Sequence, residues 1–493
     1  MELYKLTALD TIKLLKSEEI SPLDCLKSLQ NRITEVDQHI NALPTLCFDR
    51  AEKKAKKIMR KTIDDRGELY GLPIVVKDLI DVSGVKCTSG SLIFKDRVAE
   101  QSDILVENIE NNSGLIYAMS NTPEFGAGGN TFNEVFGKTL NPWDLSKSVA
   151  GSSGGSAAAL ATGMAWLAHG SDYGGSLRSP ASFCSIVGMR PSPGRIASNV
   201  SGILDQTLGV NGPMARNVKD LALFFDVLLG QTYKDPTSIP KEEKSFLNNA
   251  LEEKKPRKVA ISQDLGIPPV DPTIREFVVK AGKELEKLGI VVEEATPDLS
   301  EAPYTSQILR SFSFYVNLKS QYLENKKYLK EDIIWNIEKG MSLTVDDIAN
   351  ANIKRVQIFN NMQNFFDQYD LLICPSTIVP PFPVEQTYVK SCDGINFSNY
   401  IEWLNIVSAV TLTGSPALSL PYGFTPDGLP VGLQVISRFR NERDLLSGAA
   451  FIESNINFKN YAILFVTKCR CDSLDIECLI TSSMVPEISP PSI

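Results

Sequence analysis

Two glycine–serine clusters, GSSGGS at residues 151–156 and GSDYGGS at residues 170–176, enclose a stretch of small uncharged side chains. The stretch, Ala157–Ala168, is dominated by alanine. A segment with so few polar groups is favoured in a protein interior, and it is shorter than the ~20 apolar residues that a membrane span needs. We therefore expect a buried helix at Ala157–Thr162 and a strand at Met164–Ala168 that carries the second cluster. The two clusters are predicted to be turns at the ends of buried elements rather than linkers.

The rest of the chain alternates between two kinds of apolar pattern. Short β-branched runs such as Leu72–Val76 and Val291–Glu294 predict strands, and longer segments such as Val218–Leu229 and Thr273–Leu288 predict helices. Residues 301–368 are predicted to be mostly helical. Alternating strands and helices indicate an α/β protein with a largely parallel or mixed sheet.

Composition excludes several functional classes. The net charge of −9 and the pI near 5.1 argue against a general binder of nucleic acid or anionic membranes. Met1–Asp10 lacks the apolar core of a secretory signal, and the nine scattered cysteines do not form a disulfide framework. Cys469, Cys471 and Cys478 lack a fourth ligand with zinc-like spacing. We expect a soluble, cytoplasmic protein without a metal site or cofactor.

Histidine limits the chemistry most strongly, because the chain has only His39 and His169. His39 lies in a charged helical pattern that is typical of a surface, and His169 is predicted on the strand before the second cluster. A histidine metal site is therefore not expected. A Ser-His-Asp triad could use only His169 or His39, and for a hydrolase we expect a base of another type.

The second cluster has the features of a nucleophile turn. Consecutive N–H groups from Tyr173 to Ser176, with Gly174 and Gly175 between them, can point at one developing oxyanion, since glycines adopt positive φ readily. Ser176 is the candidate nucleophile. A phosphate-binding loop at the first cluster, where GSSGGS precedes a helix, is a weaker alternative, because neither G-x-x-x-x-G-K-[ST] nor a strand-linked G-x-G-x-x-G is present. A cysteine hydrolase using Cys184 is weaker still, since that thiol lies in an apolar context.

Lys77, at the end of the apolar run in VVKD, is the candidate base. Burial lowers a lysine pKa toward neutrality, and a neutral amine accepts a proton. Ser152 or Ser153 of the first cluster can relay protons between Lys77 and Ser176, as in the serine–lysine variants of the catalytic triad.

Several long motifs, in order, resemble those of the amidase signature family. They are GLPIVVKD, NTPEFGAGGNTFNEVFGKTLNPWD, GSSGGSAAA, GSDYGGSLRSPASFCSIVGMRPSPGRI, YDLLICPST and GSPALSLPYGFTPDGLPVGLQVIS. The resemblance extends from the N-terminal helices to about Ser454. It implies an amidase signature fold, in which helices cover both faces of a central mixed sheet.

The resemblance also implies roles for individual residues. Lys77 corresponds to the family's base, Ser152 to the relay serine that follows a cis peptide bond, and Ser176 to the acyl-enzyme nucleophile. The oxyanion donors fall on the backbone of Tyr173, Gly174, Gly175 and Ser176. Supporting residues are Ser153, which hydrogen-bonds the lysine, and the pair Asp172 and Arg178, which braces the nucleophile turn.

Two positions depart from the family pattern. Met119 stands where a lysine is usual, and Ala150 stands where a glycine usually precedes the first cluster. Neither position is one of the three candidate catalytic residues.

The implied organisation has three parts. Residues 1–60 form a helical segment packed on the core, residues 61–454 form the catalytic domain, with a variable substrate-facing helical subregion at about 300–368, and residues 455–493 form a tail. The implied activity is hydrolysis of a small-molecule carboxylic amide to the acid and ammonia or an amine, by a homodimer. The alternatives are the amidase component of a glutamine-dependent tRNA amidotransferase and a non-catalytic binding protein on the same fold.

Overall fold

The computed structural model describes residues 2–199, 202–204 and 207–456. Eleven of its strands form one central sheet. They are β1 (Thr45–Leu46), β2 (Pro73–Lys77), β3 (Leu115–Ser120), β4 (Leu167–Asp172), β5 (Val187–Arg190), β6 (Val210–Ala215), β7 (Lys258–Ile261), β8 (Val291–Glu294), β9 (Leu371–Pro375), β10 (Ala417–Phe424) and β11 (Pro430–Ile436).

The central sheet is mixed, with the order β1-β3-β2-β4-β6-β5-β10-β11-β9-β7-β8. Strand β2 runs parallel to both β3 and β4, and β7 runs parallel to β8 and β9, whereas the remaining neighbours are antiparallel. Three two-stranded ladders lie outside it, between Phe132–Asn133 and Gly137–Lys138, Leu140–Asn141 and Asp144–Ser148, and Ser391–Cys392 and Ile395–Asn396.

Fourteen α-helices flank the sheet within the described residues. They are α1 (Ala8–Lys16), α2 (Pro22–Ile40), α3 (Phe48–Ile58), α4 (Ile104–Asn111), α5 (Gly154–Ala161), α6 (Arg178–Cys184), α7 (Val218–Leu228), α8 (Phe246–Glu252), α9 (Pro272–Lys287), α10 (Ala302–Asn325), α11 (Glu331–Met341), α12 (Val345–Phe365), α13 (Asn405–Leu412) and α14 (Glu442–Asn455). The predicted α/β class is confirmed, and so is the helical character of residues 301–368.

The alanine-rich stretch is buried throughout, as predicted: every residue from 148 to 170 is buried. The predicted strand at Met164–Ala168 is wrong at its start, because β4 begins at Leu167. The N–H groups of Met164 and Ala165 donate to the Ala159 carbonyl at 2.8 and 3.1 Å. These bonds close the C-terminal end of α5, so the two residues cannot pair in the sheet.

Small side chains in α5 allow its backbone to touch neighbouring backbone. A Cβ on Gly155 would lie 2.4 Å from the Asn121 nitrogen and 2.7 Å from the Ala42 carbonyl oxygen. Asn121 donates its N–H to that same carbonyl at 2.9 Å, so the contact lies at the end of β3. Position 155 is therefore limited to glycine by the approach of α5 to the sheet.

The C-terminal segment after residue 456, including the cysteines at 469, 471 and 478, lies outside the described residues. Among the described helices, none combines the length and the apolar character needed to cross a bilayer.

We predict that Gly155→Ala lowers the melting temperature, because its methyl group must displace backbone rather than a mobile side chain. Overpacking of this kind costs about 1–3 kcal/mol. The matched control is Gly230→Ala, where the nearest heavy atom, Asn108 Nδ2, lies 3.4 Å from the new Cβ. Scanning calorimetry of both variants checks this expectation, and equal melting temperatures would contradict it.

Candidate active site

The candidate residues meet at one edge of the sheet because their strands are neighbours. Strand β2 ends at Lys77, and β4 runs beside it in parallel, with Ile74 opposite Leu167. The turn after β4 carries Ser176, and α5 packs against both strands with Ser153 as its N-cap. The ends of parallel neighbours open at the same edge, so segments far apart in sequence converge there.

Three serine hydroxyls surround the Lys77 ammonium. Its Nζ donates to Ser152 Oγ at 2.6 Å, to Ser153 Oγ at 3.0 Å and to Ser171 Oγ at 3.0 Å. Lys77 itself is fully buried. An ammonium group has three donors, and here each one has an acceptor.

Burial lowers the pKa of Lys77 from 10.5 to about 7, and the negative charge of Asp172 offsets part of that decrease. The three acceptors are neutral hydroxyls, and among the described residues no carboxylate oxygen lies within 4.0 Å of the ammonium. Lys77 is therefore poised to exchange a proton near neutral pH.

His169 is fully buried and contacts the backbone of Lys77. Its Nδ1 accepts the Lys77 backbone N–H at 3.4 Å, and its Nε2 lies 3.1 Å from Asn211 Oδ1. Burial lowers the pKa of the imidazole to about 3. The ring is therefore neutral and serves as a fixed acceptor behind Lys77, while His39 is exposed on α2.

The Gly151–Ser152 peptide bond is cis, as the family resemblance implies for the relay serine. Ala150, just before it, has φ of 56°, in the left-handed region where glycine is favoured. This conformation explains why a glycine is usual there. On the other side, a Cβ on Gly126 would lie 3.4 Å from Ser152 Oγ, so the loop of Gly126 covers the Ser152 hydroxyl.

The Asp172 carboxylate organises the nucleophile turn. It accepts the N–H groups of Gly175 and Leu177, both at 3.0 Å. Gly175 has φ of +101°, and a Cβ there would lie 2.4 Å from Val407 Cγ2. Both the dihedral angle and the close contact require glycine at this position.

The bond to Asp172 occupies the N–H group of Gly175, which therefore differs from the predicted oxyanion donors Gly174 and Ser176. Its N–H is directed at Asp172, whereas the N–H groups of Gly174 and Ser176 have no acceptor among the described residues. Ser176 is partly exposed, as are Tyr173 and Gly174. The open side of the turn therefore offers donors next to an accessible hydroxyl.

Two arginines neutralise Asp172 inside the protein. Arg178 Nη2 and Arg190 Nη1 lie 2.9 and 3.3 Å from Asp172 Oδ1, and all three side chains are fully buried. Burial alone raises the pKa of this carboxyl, but Arg178, Arg190 and the N–H donors outweigh that effect and hold it well below its usual range. Arg178 also donates to three groups from the C-terminal part of the chain: the Val407 carbonyl, Gln434 Oε1 and Thr411 Oγ1.

The two clusters are joined through their backbones. Ser153 N–H donates to the Ser176 carbonyl at 3.3 Å, and no hydrogen bond links the Ser152 and Ser176 hydroxyls within the described residues. Catalytic hydrogen bonds often tighten only when substrate is bound. Of the nine candidate residues, Lys77 lies at the end of β2, and the other eight lie in the two adjoining glycine–serine turns or directly beside them.

Sequence reasoning missed Ser171 and Arg190. Ser171 lies in β4, one position before Asp172, and its hydroxyl was detectable as a third acceptor only once the pairing of β2 with β4 was known. Arg190 ends β5 and reaches Asp172 across the sheet.

Cys184 is fully buried and its thiol pKa is raised by burial, so it is inert in this structure.

Comparison with known proteins gives consistent results. The Amidase family model matches residues 24–446. An acylamidase of Rhodococcus erythropolis is 31% identical over 459 residues, covering 92% of this chain and 96% of the relative. A glutamyl-tRNA(Gln) amidotransferase subunit of Thermoanaerobacter pseudethanolicus is 32% identical over 491 residues, covering 94% of this chain and 99% of the relative.

Among solved structures, a bacterial aryl acylamidase of the amidase signature family superposes with a TM-score of 0.84 at 26% identity. The match covers 93% of this chain and 97% of that one. A glutamyl-tRNA(Gln) amidotransferase subunit of Thermotoga maritima gives a TM-score of 0.72 at 25% identity, covering 94% and 98% of the two chains. The chain therefore belongs to the amidase signature family and is a hydrolase of amide carbon–nitrogen bonds.

Proposed function

We propose that the protein hydrolyses a small-molecule carboxylic amide through a serine acyl-enzyme, with Ser176 as nucleophile, Ser152 as proton relay and Lys77 as base. The observation that carries this proposal is the buried Lys77 amine, whose pKa is about 7 and whose Nζ lies 2.6 Å from Ser152 Oγ. Because its three acceptors are neutral hydroxyls, Lys77 does not form a structural ion pair, and we assign it to proton transfer.

In the first half-reaction, Ser176 Oγ attacks the amide carbonyl, and its proton passes to Ser152 as the Ser152 proton passes to the neutral Lys77 amine. The developing oxyanion accepts from the N–H groups of the turn, of which Gly174 and Ser176 have no other acceptor among the described residues. Loss of one such donor typically costs about 3–4 kcal/mol of transition-state stabilisation.

The proton held by Lys77 then returns through Ser152. Ser152 gives a proton to the departing nitrogen and is reprotonated by Lys77, so that the amine or ammonia leaves and the acyl group stays on Ser176. Water, deprotonated through the same pair, attacks the ester and releases the acid. Ser153 and Ser171 hold the amine in place throughout.

The second candidate function is that of the amidase component of a tRNA amidotransferase. It is supported by the 29–32% identity of several such proteins over nearly the full chain. Both candidates use the same site, so they differ in whether free glutamine is hydrolysed and whether partner proteins are required. An assay of the isolated protein with glutamine and with simple acyl amides separates them.

Ser176→Ala is expected to reduce amidase kcat by about a thousandfold or more, because the covalent step is lost. A fluorophosphonate probe is expected to label Ser176 in the wild-type protein, as read by peptide mass spectrometry. The matched control is Ser415→Ala, which removes a buried hydroxyl without a hydrogen-bond partner. Full activity of Ser176→Ala, or labelling of another residue, would refute the assignment and favour a non-catalytic binding role for this turn.

The pH profile follows from the state of Lys77. The neutral amine is the base, so its active fraction increases as pH rises through about 7. We expect kcat/KM to rise about tenfold per pH unit below this value and to level off above about pH 8. Lys77→Met is expected to abolish this rise together with most of the activity. A wild-type profile that falls with pH would exclude the lysine base.

Asp172→Asn is expected to destabilise the fold as well as the turn. It leaves Arg178 and Arg190 buried without their counter-ion, and breaking a buried pair costs about 3–5 kcal/mol. The matched control is Glu338→Gln, which removes one partner of the exposed pair with Lys326 and is expected to leave the melting temperature unchanged. Thermal unfolding of both variants checks this expectation, and an unchanged melting temperature for Asp172→Asn would contradict it.

A further inference from the structure

The Gly126 loop, residues 124–128, packs closely against the candidate relay serine. A Cβ on Gly126 would lie 3.4 Å from Ser152 Oγ, and a Cβ on Gly151 would lie 3.1 Å from the Gly128 carbonyl oxygen. Ser152 is 2% exposed. The loop therefore forms part of the cover that keeps water from the Ser152 hydroxyl.

The backbone of this loop adopts a tight turn. Phe125, Gly126 and Ala127 each donate their N–H to a backbone carbonyl, at 2.8, 2.8 and 2.9 Å. Phe125 and Gly126 have φ of 49° and 68°, a region that is unfavourable for a side chain such as that of Phe125. A turn of this kind persists only where contacts from outside it hold its conformation.

Lys330 contacts the loop at two points. Its backbone N–H donates to Glu124 Oε2 at 2.9 Å, and its Nζ donates to the Ala127 carbonyl at 2.5 Å. A Cβ on Gly128 would lie 3.1 Å from the same Nζ. One residue therefore bonds to the loop before and after Gly126.

Helix α11 holds Lys330 itself in place. Lys330 is the N-cap residue of α11, and its carbonyl accepts the N–H groups of Ile333 and Ile334 at 3.0 and 3.2 Å. Asp332 Oδ2 lies 3.1 Å from Lys330 Nζ, and the Lys330 side chain is 15% exposed. A charge-assisted hydrogen bond in a partly buried position is stronger than one between neutral groups.

Apolar packing joins the loop to the same part of the chain. Ala127 packs in one buried cluster with Ile333 of α11, and Phe125 of the loop and Phe314 of α10 pack against that cluster. Hydrophobic contacts are non-directional, so they draw the loop toward the helices without fixing its backbone. The two hydrogen bonds from Lys330 supply the direction.

The pKa of Lys77 depends on this cover. Burial lowers that pKa to about 7, and the charge of Asp172 opposes the decrease. His169, which contacts the Lys77 backbone, is neutral. Water admitted beside Ser152, whose Oγ lies 2.6 Å from Lys77 Nζ, would weaken the effect of burial and raise the pKa toward 10.5. The amine would then be protonated at neutral pH.

We propose that Lys330 is a positioning residue that holds the Gly126 loop over Ser152 and so keeps water away from the Ser152–Lys77 pair. This inference rests on the proposed function, because it assigns the loop a task in that proton transfer. Lys330 acts through Ser152 and Lys77, and it links the helices of residues 300–368 to the candidate catalytic residues.

The first measurement is amide hydrogen exchange at residues 125–127, followed by mass spectrometry. Exchange is expected to be faster in Lys330→Met than in the wild-type protein, because the bond to the Ala127 carbonyl is lost. Lys330→Arg keeps a cationic donor and is expected to retain the wild-type rate. The matched control is Lys326→Met, which removes an exposed lysine that pairs with Glu338 and is expected to leave exchange unchanged.

The second measurement is the pH profile of amide hydrolysis. Lys330→Met is expected to move the rising limb of kcat/KM about one pH unit to the alkaline side. At pH 6, kcat/KM is then about tenfold lower than in the wild-type protein, whereas above about pH 9 the two values agree within about threefold. A purely structural role would lower activity equally at every pH. Lys330→Gln, which also lacks the ammonium, replaces Lys330→Met if that variant does not fold.

Unchanged exchange at residues 125–127 in Lys330→Met would overturn the proposal. Faster exchange combined with a pH limb that stays in place would overturn it as well. Exchange is measured without turnover, so it also separates this proposal from the proposed function. Faster exchange in Lys330→Met, together with a wild-type protein that hydrolyses no amide, would refute the proposed function and support Lys330 as the residue that holds the loop.

Discussion

The buried Asp172 carboxylate is the interaction on which the geometry of the site depends. It accepts two backbone N–H groups of the nucleophile turn and pairs with Arg178 and Arg190. Arg178 extends this network to α13 and β11 through Val407 and Gln434. One carboxylate therefore fixes a turn and pairs with two buried cations, and their excess positive charge is one reason why the pKa of Asp172 is held so low.

The same charge acts on Lys77 at longer range. Burial makes the Lys77 ammonium easier to deprotonate, and the charge of Asp172 opposes that effect. The pKa of Lys77 therefore falls to about 7 rather than lower. The hydroxyls of Ser152, Ser153 and Ser171 satisfy the ammonium without adding charge. A carboxylate at any of these positions would raise the pKa of Lys77 and keep its amine protonated at neutral pH.

Small residues make this arrangement physically feasible. Glycine at position 155 lets α5 touch the sheet, and glycine at position 175 lets the nucleophile turn pass Val407. Beside that turn, Arg310 of α10 lies among aromatic side chains that include Tyr173 and Phe314. The sheet and its turns thus position the candidate catalytic residues.

The residue types of the candidate site and the order of its turns could be predicted from the amino-acid sequence alone. The scarcity of histidine, the lysine at the end of an apolar run and the two glycine–serine clusters led to Lys77, Ser152 and Ser176 as candidates, and alternating patterns predicted the α/β class. The start of β4 was predicted too early, because the bonds that close α5 depend on local geometry that a hydropathy pattern does not contain.

Which groups face one another became evident only from the folded chain. Ser171 reaches Lys77 because β2 and β4 are parallel neighbours, and Arg190 reaches Asp172 from another strand of the sheet. Gly175 is distinguished from Gly174 by an N–H bond that no spacing reveals. The burial of Arg310 beside Tyr173 likewise depends on how α10 packs, since the sequence shows only a charged residue on a predicted helix. The physical reason is common to all four: partners in a buried network come from strand register and helix packing, which are set by the whole chain.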